Sequence, residues 1–138
     1  MMIKSVILRC DPDRAFALFT EHAGLWWPAG RRHTEDESST IRMERSGRFF
    51  ERAEDGTEIE LGIVRVFDPP ARLVLDWFTG SGRDTPTLVD VRFEAAGDGT
   101  RVTVTHDMGT AAADIFCSNL AAYERSWDLV LGAVAGYA

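Results

Sequence analysis

The chain has 138 residues, 45% of them hydrophobic, a net charge of −7 and two cysteines. That length suits one domain with one core, and that apolar content excludes a disordered chain. The acidic balance excludes nucleic acid as a partner, because a phosphate backbone needs a basic surface. Cys10 and Cys117 are too few for a metal cluster and read as free thiols.

In chain order, Ile3 to Arg9 is expected as a first strand. Lys4 and Arg9 bracket a short apolar run with no small-residue cleavage site after it, which is not a signal peptide. The longest apolar runs fall far short of a membrane span, so a cytoplasmic protein is expected. Asp11-Pro12 reads as an N-cap followed by Pro at the first helical position. A short helix to Thr20 carries Ala15, Phe16, Leu18 and Phe19, and a second short helix or turn carries Trp26 and Trp27 up to Pro28. Residues 29–39 are polar and aperiodic, the mark of a loop, expected to be mobile.

Strands are then expected at Thr40 to Arg45, Arg48 to Ala53, Glu58 to Phe67, Arg72 to Phe78, Thr87 to Glu94 and Arg101 to His106. Asp55-Gly56 is a two-residue hairpin signal, and Gly97-Asp98-Gly99 turns the last hairpin. Alternation sets the faces: Leu73, Leu75 and Trp77 share one, as do Val89, Val91 and Phe93, and Val102, Val104 and His106. This is a meander with one face buried. The chain ends in a helix from about Asp114 to Tyr137, with Phe116, Leu120, Tyr123, Trp127, Leu131 and Val134 in one apolar stripe. The fold class is α+β: a curved antiparallel sheet of about seven strands gripping a long C-terminal helix, with two short helices after strand 1.

This order of elements resembles the START-like helix-grip superfamily, also called SRPBCC. Within it, the sequence is similar to the branch named after the activator of the heat-shock protein 90 ATPase. The resemblance rests on Ala15-Phe16 with Leu18-Phe19-Thr20, Trp26-Trp27-Pro28, Gly47 to Arg52, Asp55 to Glu58, Gly62, Val64, Asp68-Pro69-Pro70, Arg72-Leu73 and Trp77. Thr100, Val102, Val104, His106, Trp127 and Leu131 complete it. Ser46 and Leu61 depart from the pattern, where a Gly and an aromatic are common. The resemblance implies a cavity between sheet and helix for an apolar or amphipathic small molecule, and it implies no reaction.

A two-residue turn at Asp55-Gly56 places Glu51 opposite Glu60 and Phe49 opposite Gly62. Two facing carboxylates need a proton or an arginine between them. They read either as a ligand anchor or acid/base pair, or as a solvated rim beside the turn. His106 points inward, either as a hydrogen-bonded core residue or as a catalyst. No residues stand at metal spacing, no phosphate loop is present, and no cofactor is expected. The other hairpin face carries Phe50, Leu61, Ile63 and Phe67, either as a homodimer surface or because the register is one residue off.

The leading expectation is a binding module without catalysis, its ligand lined by Trp26, Trp27, Phe49, Glu51, Glu60, Val64, Trp77, Val91, Val104, His106, Leu120, Tyr123 and Trp127. The alternatives are an enzyme of cyclase or hydrolase type using Glu51, Glu60 or His106, and a protein-interaction module of cochaperone kind. The cavity is expected toward the Trp26-Trp27 end, with the loop from Ala29 to Ser39 at its mouth.

Overall fold

The period-two segments pair into one seven-stranded antiparallel sheet in a computed structural model that describes residues 1–138. Its strands are β1 (Met2–Leu8), β2 (Thr40–Met43), β3 (Arg48–Arg52), β4 (Glu58–Asp68), β5 (Arg72–Trp77), β6 (Thr87–Ala96) and β7 (Gly99–Asp107). The order across the sheet is β1-β7-β6-β5-β4-β3-β2. Helix α1 (Pro12–Phe19) and two 3-10 turns, Ala23–Leu25 and Ala29–Arg31, lie between β1 and β2, and α2 (Ala113–Tyr137) ends the chain. The fold is the expected α+β helix-grip. No helix is long and apolar enough to cross a membrane.

Helix α1 starts where predicted: the Asp11 carboxylate accepts the Arg14 N–H at 2.8 Å, and Pro12 occupies the first turn. Its buried face plugs one end of the sheet. Phe16 lies edge-on to Phe67 and Phe93, 5.1 Å from each, and Phe19 sits 5.7 Å from Trp26. Helix α2 covers the remainder with Phe116, Tyr123, Trp127, Val130, Leu131 and Val134, while Leu120 is half-buried. Val130 joins the predicted stripe because it follows Trp127 by three residues.

The β3–β4 hairpin departs from the sequence expectation in an instructive way. Its turn holds three residues, not two: Ala53 N–H donates to Thr57 O at 2.8 Å, and Gly56 takes φ = 93° between them. The register near the turn therefore shifts by one, and Glu51 faces Ile59 while Glu60 faces Phe50. A bulge between Phe49 and Phe50 absorbs the extra residue, so Phe49 faces Gly62 as expected. At Gly62 a Cβ would sit 2.1 Å from the Asp76 carbonyl oxygen, so strands β4 and β5 approach there as only glycine permits.

A second bulge, between Val64 and Val66, exchanges the faces of the next two residues. Phe67 turns inward, half-buried against Phe16, and Val66 turns outward. Two bulges in the longest strand twist and bend the sheet, which is how it curls around α2.

The same bulges remove the surface expected for a homodimer. Leu61 is buried in the core, Phe67 is half-buried against it, and Phe50 lies under the guanidinium of Arg48 at 3.8 Å and of Arg52 at 5.1 Å. Of the four residues only Ile63 is exposed.

Candidate functional site

A cavity of about 300 Å³ opens between β5, α2 and the loop after Trp27. Its apolar wall is Trp27, Trp77, Tyr123, Trp127 and Val130; its polar wall is Gly30, Arg31, Arg32, His33, Thr79 and Ser126. The wall follows from local rules. Trp77 is the last inward residue of β5, after Leu73 and Leu75. Tyr123, Trp127 and Val130 stand one helical turn apart on the buried face of α2. Trp77 and Trp127 rings lie 5.1 Å apart, and the Tyr123 hydroxyl donates to the Thr79 carbonyl at 3.1 Å.

The loop over the cavity, expected to be mobile, is hydrogen-bonded to the sheet and to the turn before it at several points. Glu51 is fully buried beneath it. Its Oε1 accepts the His33 N–H at 2.7 Å, and its Oε2 accepts the Thr34 N–H and the Ser39 hydroxyl, each at 2.9 Å, together with the Thr34 hydroxyl. Burial pushes the Glu51 pKa up, but these hydrogen bonds from Thr34, His33 and Ser39 outweigh it, and the net shift is downward. Arg32 adds a second tie, donating to the carbonyls of Ser39, Gly24 and Trp27 and to the Ser39 hydroxyl, over 2.6–3.0 Å. The Trp27 indole N–H donates to Arg31 O at 3.2 Å, which fixes the start of the loop.

Glu51→Ala should therefore cost about 2–3 kcal/mol, the range for hydrogen bonds to a buried charge. Hydrogen exchange checks the cause: protection should vanish at His33 and Thr34. Amides already unprotected in the wild type would show that Glu51 does not hold the loop.

His106 lies behind the cavity wall with no exposed surface. Its Nδ1 accepts the Trp127 indole N–H at 3.0 Å, so the ring proton is on Nε2, which faces the Thr87 hydroxyl at 2.8 Å. Thr87 in turn donates to Trp77 O at 3.4 Å. Desolvation pushes the His106 pKa down to about 4, against a smaller upward pull from Asp107. Neutral, stacked 4.2 Å from Tyr123 and bonded at both nitrogens, His106 is a core residue that has no free nitrogen for a substrate.

Of the expected lining residues, Trp27, Trp77, Tyr123 and Trp127 meet at the cavity. Trp26 stands behind Trp27 and donates to Leu18 O at 2.8 Å. Phe49 backs Trp77 at 5.1 Å, Val64, Val91 and Val104 lie in the core, and Leu120 is half-buried on α2. Glu51 is sealed under the loop. Glu60 is on the opposite face of the sheet, bound by Arg48 together with Glu58, and does not face Glu51. The loop from Ala29 to Ser39 borders the cavity as expected, but Arg31, Arg32 and His33 as its polar wall are not among the expected lining residues. Its one signal is the Arg31-Arg32-His33 run directly after Trp26-Trp27-Pro28 in an acidic chain. No three His, Cys, Asp or Glu side chains cluster to hold a metal ion.

A curled sheet gripping a long helix over a side cavity defines a helix-grip protein. The family described as Activator of Hsp90 ATPase homolog 1-like protein matches residues 9–131, and the chain belongs to that family.

Solved structures agree. The self-sacrificing resistance protein CalC from Micromonospora echinospora is 28% identical, with a TM-score of 0.70 over 99% of this chain and 92% of that one. The anthrahydroquino-γ-pyrone synthase Txn09, complexed with SUM, is 25% identical, with a TM-score of 0.57 over 97% and 86%. The protein Mll3558 from Rhizobium loti shares the fold at 21% identity, with a TM-score of 0.69 over 98% and 94%. No curated protein matches this sequence significantly.

Proposed function

We propose that this chain is a single cytoplasmic binding domain whose cavity takes an apolar or amphipathic small molecule. One observation carries the reading: a cavity of about 300 Å³ walled by three indoles and a phenol, between the sheet and the helix. Ligand sites are of this size and kind, apolar walls with a few polar groups at one side. Kinship with CalC and with a synthase solved with SUM bound supports a ligand-handling role for the scaffold. The binding reading stands ahead of the enzyme reading because Glu51 and His106 are hydrogen-bonded away from the cavity and Glu60 is outside it. It stands ahead of the interaction reading because the apolar face that reading needs is covered.

Three of the four tryptophans line the cavity, so occupancy is readable in their fluorescence. A panel of fatty acids, sterols and polycyclic aromatics should contain members that quench this emission and raise the melting temperature with concentration. A panel that leaves both unmoved overturns the reading.

A further inference from the structure

We propose that the cavity takes an aromatic ligand bearing an anionic group, a carboxylate or phenolate, and that Arg31 is the residue that holds it. The proposal rests on the cavity being a ligand site, and adds the charge and shape of what enters. The walls contain no Asp or Glu, although the chain carries 22 acidic residues. What they do contain is Arg31, Arg32 and His33 in succession.

The two arginines differ in how much of their hydrogen-bonding capacity is free. Arg32 spends both terminal nitrogens on the loop, and the charge of Glu51 acts on it. Arg31 is half-buried and has no carboxylate partner; its guanidinium makes one hydrogen bond, from Nη1 to the carbonyl of its neighbour Gly30, at a long 3.3 Å. Its Nε is buried and has no partner.

Elsewhere in the chain, arginines near carboxylates are paired with them, as Arg48, Arg65 and Arg72 are. Unpaired Arg9, Arg14, Arg101 and Arg125 are exposed, where water satisfies them. Arg31 alone combines an unpaired guanidinium, partial burial and a place in the cavity wall. A guanidinium offers five N–H donors in a planar fork that matches a carboxylate. The same cavity is lined by Trp27, Trp77 and Trp127, whose apolar rings suit an aromatic ligand. At about 300 Å³, the space suits a ligand of about two to three fused rings.

The experiment uses matched neutral and anionic probes: 2-naphthoic acid and anthracene-2-carboxylic acid, each beside its primary carboxamide. Binding is followed by calorimetry and tryptophan quenching at pH 7 for the wild type, R31Q and R31K. Each acid should bind the wild type about tenfold to a hundredfold more tightly than its amide, the usual range for a charge-assisted pair. R31Q should lose that margin for the acids and leave the amides within about twofold. R31K should keep part of it, because lysine retains the charge without the fork. Added salt should weaken acid binding only.

If acid and amide bind alike, the anionic inference falls and the binding-module reading stands. If R31Q keeps the preference, Arg31 is not the anchor and the inference falls too. If no probe binds the wild type, the aromatic-anion inference falls, and the panel of fatty acids and sterols decides the binding reading separately. The Arg31 side chain bonds only its neighbour's carbonyl, so R31Q should melt with the wild type; should it not, R31K and the salt series decide.

Discussion

Trp127→Ala should destabilise the protein by about 3–5 kcal/mol, the range for emptying a large aromatic site. The upper end is expected here. Trp127 is 2% exposed, packs on Trp77, and donates the only hydrogen bond to His106 Nδ1. Truncation therefore leaves a void between helix and sheet and an unpaired buried acceptor beside it. Trp127→Phe separates the two effects: it keeps most of the packing, loses the indole N–H, and should cost about 1–3 kcal/mol. Urea unfolding measures both. A loss below about 1 kcal/mol for Trp127→Ala would mean that α2 is not docked as described.

Acid should weaken the fold through His106 in a defined window. The folded pKa, about 4, lies below the ordinary value of 6.5, so the unfolded chain takes up a proton first as pH falls. The stability held by the neutral ring is complete above pH 6.5 and is lost as pH falls through 4. The whole loss is about 3 kcal/mol. Glu51 has the same sign: burial raises its pKa, its hydrogen bonds lower it by more, and it adds its own loss below the ordinary carboxylate value of 4.5. Urea unfolding from pH 7.5 to 4.5 should show stability falling with pH, and His106→Gln should flatten that part of the curve. Equal slopes in the two proteins would show that His106 is not held neutral by the fold.

The fold was legible because each element repeats its signal several times. Leu73, Leu75 and Trp77 alternate, Val102, Val104 and His106 alternate, and the α2 stripe recurs over six positions. The cavity's aromatic wall was legible for the same reason, since Trp77, Tyr123 and Trp127 are periodic residues. The errors fall where one extra residue changes a face. Asp55-Gly56 has the composition of a two-residue turn, and only the tertiary pairing reveals a third residue and the bulge at Phe49 that restores the register. From that one shift came the facing carboxylates. The outward aromatic came from the second bulge, after Val64.

Pattern puts Glu51 on the concave face, as a ligand anchor or at a solvated rim; it is neither, being sealed beneath the loop. That it would be met by backbone amides from 17 and 18 residues earlier leaves no local trace in sequence. Arg31 and Arg32 lie in an aperiodic loop, where pattern assigns no direction to a side chain.

The hydrogen-bonded chain from Trp127 through His106 and Thr87 to the Trp77 carbonyl ties together two walls of the cavity that are also the helix–sheet junction. The cavity thus has one face that cannot be altered without loosening the molecule, and one face, the Gly30–His33 segment, that is held by the Arg32 side chain, buried Glu51 and main-chain groups, with the side chains of Arg31 and His33 taking little part. Ligand preference in such a scaffold is free to diverge on the second face alone. An engineer seeking a new ligand should diversify Gly30, Arg31 and His33, leave the indoles untouched, and expect altered selectivity at nearly constant melting temperature.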